Sequence, residues 1–151
     1  MRKDWRIDIT SLGLRTVLGL VLIYFGFQKL FGLFGGPGYA KTLHLLGGLG
    51  IHPLLANICI IVETLGCLLL ILGLLTPVAA AAIAGNMAVA TYFNLKTPGA
   101  MEAFQHGDHP DLTMRIYLTC CMTVMALAVA ALGGGSYSLD ARFFKGTKKK
   151  A

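Results

Sequence analysis

The sequence predicts an all-α integral membrane protein, a four-helix bundle with both termini on the cytoplasmic side. Three observations carry this. The 151 residues are 56% hydrophobic and 13% charged, with a mean hydropathy of +0.70, whereas charged residues make up about 25% of a soluble domain. The apolar residues gather into four stretches of spanning length, an α-helix needing about 20 of them to cross a hydrocarbon core roughly 30 Å thick. The basic residues collect at the two ends of the chain. A single membrane domain, residues 1–151, accounts for all of it.

The first span runs from about Leu12 to Leu33, with an uncharged centre from Thr16 to Phe27. It follows Arg2, Lys3 and Arg6, as a signal peptide would, but Phe27-Gln28-Lys29-Leu30 offers no small-residue cleavage site, so a retained anchor is expected. Gly35-Gly36-Pro37-Gly38 should end the helix. The apolar-polar mixture from Tyr39 to Leu46 predicts a re-entrant or interfacial turn. The second span, Leu54 to Leu74, carries one formal charge, Glu63, near its middle. It closes on Gly73-Leu74-Leu75-Thr76-Pro77, where Thr-Pro suits the first turn of another helix. So short a connection makes the second and third spans an antiparallel hairpin. The third, Pro77 to about Leu95, is Ala-rich with Asn86 near its centre. A polar loop, Lys96 to Leu112, holds Glu102, His106, Asp108, His109 and Asp111. The fourth span, about Thr113 to Leu132, has Arg115 at its entry and leads through Gly133-Gly134-Gly135 to a basic tail.

A net charge of +6 and a pI near 9.3 raise the possibility of a nucleic-acid partner. The basic residues exclude it, because they do not line a face with interleaved aromatics. They encode topology instead: Arg2, Lys3, Arg6, Arg142, Lys145, Lys148, Lys149 and Lys150 lie at the ends, against Lys41, Lys96 and Arg115 in and beside the two long loops. Both termini are therefore expected in the cytoplasm and both loops outside, which in a bacterium means an inner (plasma) membrane protein facing the periplasm. The lysine tail would also favour anionic lipid, by about 1 kcal/mol per residue near the surface.

Glu63 is the principal functional candidate. An ionisable group near the bilayer centre costs at least about 2.5–3.5 kcal/mol and marks a site by default. Ala56, Cys59, Glu63, Gly66, Leu70 and Gly73 share one stripe of their helix, and Arg15, Gly19, Leu22, Gly26, Lys29 and Leu33 share one stripe of the first. Small residues on both let the two helices approach closely. At about 1.5 Å per residue, Lys29 lies roughly 6 Å and Glu63 roughly 14 Å below the outer ends of their helices. A lysine stem covers much of that difference, so a Lys29–Glu63 ion pair is expected, direct or bridged by Gln28 or water. The alternative has Lys29 snorkelling outward and a protonated Glu63 hydrogen-bonded to a group such as Asn86. A second pair, Arg15 with Asp140, would tie the two ends of the chain together in a structural role.

Cys59 and Cys67 are about 12 Å apart along one helix, too far for a disulfide. Cys59 with Cys120 or Cys121 is geometrically open to redox pairing, although cysteine is commonly a small buried apolar residue. His44, His52, His106 and His109 all fall in the outward loops, and no tight paired spacing marks a metal site among them.

Gly26-Phe27-Gln28-Lys29-Leu30-Phe31-Gly32, then Gly35-Gly36-Pro37-Gly38, Glu63 with Gly66, Gly73-Leu74-Leu75-Thr76-Pro77 and Ser138-Leu139-Asp140 resemble the DoxX family of small four-helix membrane proteins, over most of the chain from Arg15 to Asp140. Phe25 stands where the family pattern often has a histidine, and the loop between the third and fourth spans matches poorly. The resemblance implies a bacterial inner-membrane protein linked to respiratory or thiol and oxidative-stress chemistry. Some relatives are named as subunits of quinol or thiosulfate:quinone oxidoreductases and others as membrane partners of soluble enzymes. Three classes of function follow. The chain is a membrane subunit of a redox complex, with a soluble oxidoreductase as partner and a quinone headgroup held near Gln28, Lys29, Glu63 and Asn86. Otherwise it is a proton-coupled carrier or channel centred on Glu63, or a structural anchor. A homo-oligomer is compatible with each. No flavin, nicotinamide, Walker or haem-attachment motif is present, so the isolated chain is not expected to be a catalyst.

Overall fold

The computed structural model describes residues 5–100 and 110–145. Helix α1 spans Trp5–Phe31, and after a short 3-10 turn at Leu33–Gly35 come α2 (Gly38–Gly48), α3 (Pro53–Leu72), α4 (Thr76–Lys96), α5 (Pro110–Leu132) and a terminal α6 (Leu139–Lys145). Four of these, α1, α3, α4 and α5, are long and apolar enough to cross a membrane. They alternate in direction, so the described ends of the chain meet at one end of the bundle, beside the α3–α4 turn. The α1–α2 connection lies at the other. The predicted His106 and His109 and the acidic Glu102 and Asp108 fall outside the described residues.

The sorting of side chains is that of a bundle in lipid. Leu18, Leu22, Leu70, Ile83, Met122, Ala126 and Val129 are buried between the helices, while Val17, Leu20, Ile61, Leu65, Val78, Val124 and Leu127 are exposed around the outside. A water-soluble domain of this size would not present so continuous an apolar surface. The helices satisfy their own backbone groups, as a spanning segment must. Small residues set the spacing: a Cβ on Gly26 would lie 3.1 Å from Thr64 Oγ1, and one on Gly66 would lie 3.0 Å from Ile83. Packing of this kind, rather than hydrophobic exclusion, holds helices together in a bilayer.

Helix ends explain the boundaries. Gly32 (φ 70°) stops α1 in the left-handed region. His52 accepts a hydrogen bond from Leu54 N–H at 3.3 Å at the start of α3, with Pro53 next to it in the first turn. At the far end Gly73 (φ 70°) forms a Schellman-type cap, with Leu74 N–H donating to Leu69 O at 2.9 Å. The first turn of α4 is capped from a distance. The Asp140 carboxylate accepts from Leu75 N–H at 2.7 Å and Thr76 N–H at 2.8 Å, at a helix N-terminus that favours negative charge. Asp140 N–H in turn donates to Gly73 O at 3.0 Å.

Arg15 and Asp140 share the chain-end layer and lie within electrostatic reach of each other, but each directs its hydrogen bonds to backbone. Arg15 Nη2 donates to Tyr137 O at 2.8 Å, and the unsatisfied amides of α4 take the carboxylate. The ends are tied through that backbone, with Ser136 N–H donating to Asp8 Oδ1 at 2.9 Å and Ser11 donating to Gly133 O. Asp140→Ala should therefore lose a helix cap and a tertiary clasp together. The expected cost is about 1–2 kcal/mol, read as a lower unfolding midpoint in detergent, with Asp140→Asn retaining part of it.

Candidate functional site

At the opposite end, Lys29 Nζ and Glu63 Oε2 are 2.5 Å apart. The pair is direct, with neither Gln28 nor Asn86 bridging it. Glu63 is held by position: it lies on the α3 stripe that faces α1, and Gly26, three residues before Lys29, brings the two backbones together against Thr64. Its side chain is 4% exposed, against 37% for Lys29. The carboxylate is thus enclosed, and the lysine side chain that bonds it is partly exposed.

The connection after α1 folds back over this layer. Gln28 Nε2 donates to Phe34 O at 3.4 Å, Phe34 stacks on Tyr24 with ring centroids 5.2 Å apart, and Gly36 lies so close to Gln28 that a Cβ there would meet its backbone oxygen at 2.5 Å. We call Gly32–Pro37 the strap. It occupies Gln28, which turns away from the pair. Helix α2, where a re-entrant or interfacial turn was expected, packs between α1 and α3. Thr42 Oγ1 donates to Gly38 O at 2.7 Å and to Lys29 O at 3.3 Å, and Tyr39 Oη donates to Asn57 Oδ1 at 2.6 Å. Lys41 and His44 are exposed on its outer side. Thr42 and Tyr39 are thus supports of the site that the sequence pattern did not single out.

Asn86 reaches α3 from α4, donating from Nδ2 to Cys59 O at 3.4 Å, one turn before Glu63. It braces the helix that carries the carboxylate and does not bond Glu63 itself. Cys59 is half-buried and within electrostatic reach of both Lys29 and Glu63. Cys120 and Cys121 are exposed on α5, and all four cysteines are free thiols. Among the described residues, no group of three His, Cys, Asp or Glu side chains could hold a metal ion. An open groove of about 630 Å³ lies at the chain-end side, lined in part by Asp8, Pro77, Ser138 and Asp140, away from the ion pair.

Chemically, the arrangement sets a carboxylate acceptor at Glu63 beside the hydrogen-bond donors of Lys29. The ammonium has three N–H donors, and Glu63 takes one of them.

No curated protein and no solved structure matches the chain. A family model for DoxX matches residues 10–95. That segment, more than half of the sequence, contains Lys29, the strap, Glu63, Asn86 and the Gly73–Pro77 turn, and the chain belongs to the DoxX family.

Proposed function

We propose that this DoxX-family membrane protein is the membrane subunit of a respiratory or thiol-linked redox complex, and that Lys29 and Glu63 receive a quinone headgroup. The observation that supports this most is the inequality of the pair, a carboxylate 4% exposed joined to a lysine 37% exposed. A structural ion pair also spares desolvation by leaving its lysine open; a binding site needs in addition an accessible donor beside the buried carboxylate, and Lys29 supplies one. The donor set fits the group: Lys29 has N–H donors beyond the one given to Glu63, suited to a carbonyl oxygen, and Glu63 stands behind it as a proton store. A bound quinone supplies two-electron, two-proton chemistry; the chain's own residues orient it and hold a proton at the Glu63 carboxyl. The soluble partner carries the electrons in this reading, and the inner membrane of a bacterium, with both termini cytoplasmic, is its setting.

The test is purification from native membranes in mild detergent, with mass spectrometry of co-purifying proteins and of extracted lipid-soluble molecules. A bound quinone and a stoichiometric soluble oxidoreductase are expected. In Glu63→Gln, checked to be folded and monodisperse, the quinone should fall several-fold while the protein partner stays. A wild-type preparation free of quinone, or one whose quinone content is indifferent to Glu63→Gln, rules the headgroup site out.

A further inference from the structure

The polar interior of the bundle is divided into two layers, and α1 contributes one cation to each. Lys29 belongs to the layer under the strap and Arg15 to the layer beside the chain ends. They are roughly 21 Å apart along the helix at about 1.5 Å per residue. Between them the four helices close on apolar side chains: Leu18, Leu22, Leu70, Ile83, Met122 and Val129 are all at most 4% exposed. Gly19 and Gly66 tighten the seal, since a Cβ on the first would meet Ile71 at 2.6 Å and on the second Ile83 at 3.0 Å. The polar side chains nearest Glu63 within this zone offer no relay. Thr64 Oγ1 donates to Ile60 O and Cys67 Sγ donates to Thr64 O, each at 2.8 Å, so both bond to their own helix.

Arg15 closes the far end of the zone. It is 2% exposed, and among the described residues its Nε and Nη1 atoms have no hydrogen-bond partner. A proton leaving Glu63 toward the chain ends would cross a low-dielectric layer and then meet a buried positive charge. Ion burial and like-charge repulsion both oppose that path. Toward the strap the situation is reversed, because Lys29 touches Glu63 and is itself open.

We infer that Glu63 exchanges its proton with one side of the membrane only, the side of the strap, by way of Lys29. The inference rests on the reading that Glu63 gains and loses a proton during the work of the site, and it adds the side from which that proton comes. The titratable groups that face Glu63 are Lys29 on α1 and Cys59 and Cys67 on α3. Helix α4 presents Asn86, and α2 presents Thr42 to Lys29 O while turning Lys41 and His44 outward. One-sided access separates this chain from a carrier, which needs a path from its central carboxylate to both faces.

The experiment uses wild-type chain reconstituted in one orientation in proteoliposomes, the orientation checked by protease access to the C-terminal lysines. A membrane-permeant carbodiimide, which modifies protonated buried carboxyls, reports on Glu63, with Glu63→Gln as the unlabelled control. Acidifying the strap side alone should raise Glu63 labelling several-fold, and acidifying the chain-end side alone should leave it unchanged. Labelling that follows the chain-end side, or both sides equally, overturns the sidedness and leaves the headgroup site standing. Labelling indifferent to both sides overturns the sidedness together with the proton exchange on which it rests.

Discussion

Replacing Lys29 with methionine is expected to destabilise the bundle by about 3 kcal/mol, whereas replacing Glu63 with glutamine costs about 1 kcal/mol or less. The asymmetry follows from burial. Removing Lys29 leaves a carboxylate that is 4% exposed without a counter-charge, and breaking a buried pair in this way costs about 3–5 kcal/mol. The loss stays at the low end of that range because the stranded carboxyl can take up a proton. Removing the charge of Glu63 instead leaves a lysine that is 37% exposed on a flexible stem, able to turn its ammonium toward water. Unfolding in detergent measures the two losses. Infrared spectroscopy supplies the second readout: a protonated-carboxyl band should appear in Lys29→Met at neutral pH and vanish in the Lys29→Met, Glu63→Gln double variant. Equal losses for the two single variants, or no such band, would show that the pair is not buried on the glutamate side.

The residues that were legible in the sequence are those whose placement depends on depth and helical phase. Lys29 and Glu63 could be matched because spanning helices have fixed ends and a fixed rise, so sequence position converts to depth. The same arithmetic could not place Gln28. A helix turns about 100° per residue, which takes Gln28 off the Lys29 stripe, and its partner is a carbonyl of the strap. The conformation there turns on Phe34, a non-glycine residue at φ 54° for which the sequence gives no signal. Asn86 lay at the right depth but in the wrong direction, bonding the Cys59 carbonyl instead of the carboxyl.

At the chain-end side, the expectation for Asp140 followed charge and depth and paired it with Arg15. The four unsatisfied amides at a helix start compete for any nearby carboxylate, and those of α4 are delivered to Asp140 by the turn after Gly73. Two helix features escaped notice for a related reason. Helix α1 already includes Trp5, ahead of the apolar stretch, because backbone hydrogen bonding continues past the point where Arg6 and Asp8 end the hydropathy signal. Helix α2 is short and mixed, and its single buried side chain is Thr42. Apolar periodicity cannot reveal a helix anchored by a hydroxyl.

Gly73→Ala is expected to cost about 2–5 kcal/mol, and part of that cost should depend on a residue far away in the sequence. Two effects combine. At φ 70° an L side chain carries about 1–2 kcal/mol of left-handed strain. The new methyl would also overlap the Arg15 guanidinium, with Cζ at 2.7 Å and Ser138 Cβ at 2.8 Å, and overpacking of a tight interior costs about 1–3 kcal/mol more. Arg15 cannot simply swing aside, since it is 2% exposed and anchored through Nη2 to Tyr137 O. Arg15→Met alone should be close to neutral, because the lost hydrogen bond is offset by the removal of two buried donors without partners. In the Arg15→Met background, Gly73→Ala should then cost the backbone strain, about 1–2 kcal/mol, together with the contact to Ser138 Cβ that remains, and less than in the wild type. The double-mutant cycle, read from unfolding midpoints in detergent, isolates the contact between residues 15 and 73. A coupling near zero would mean that Arg15 does not rest on the α3–α4 turn, and the positive barrier that seals the chain-end side of the bundle would have to be placed elsewhere.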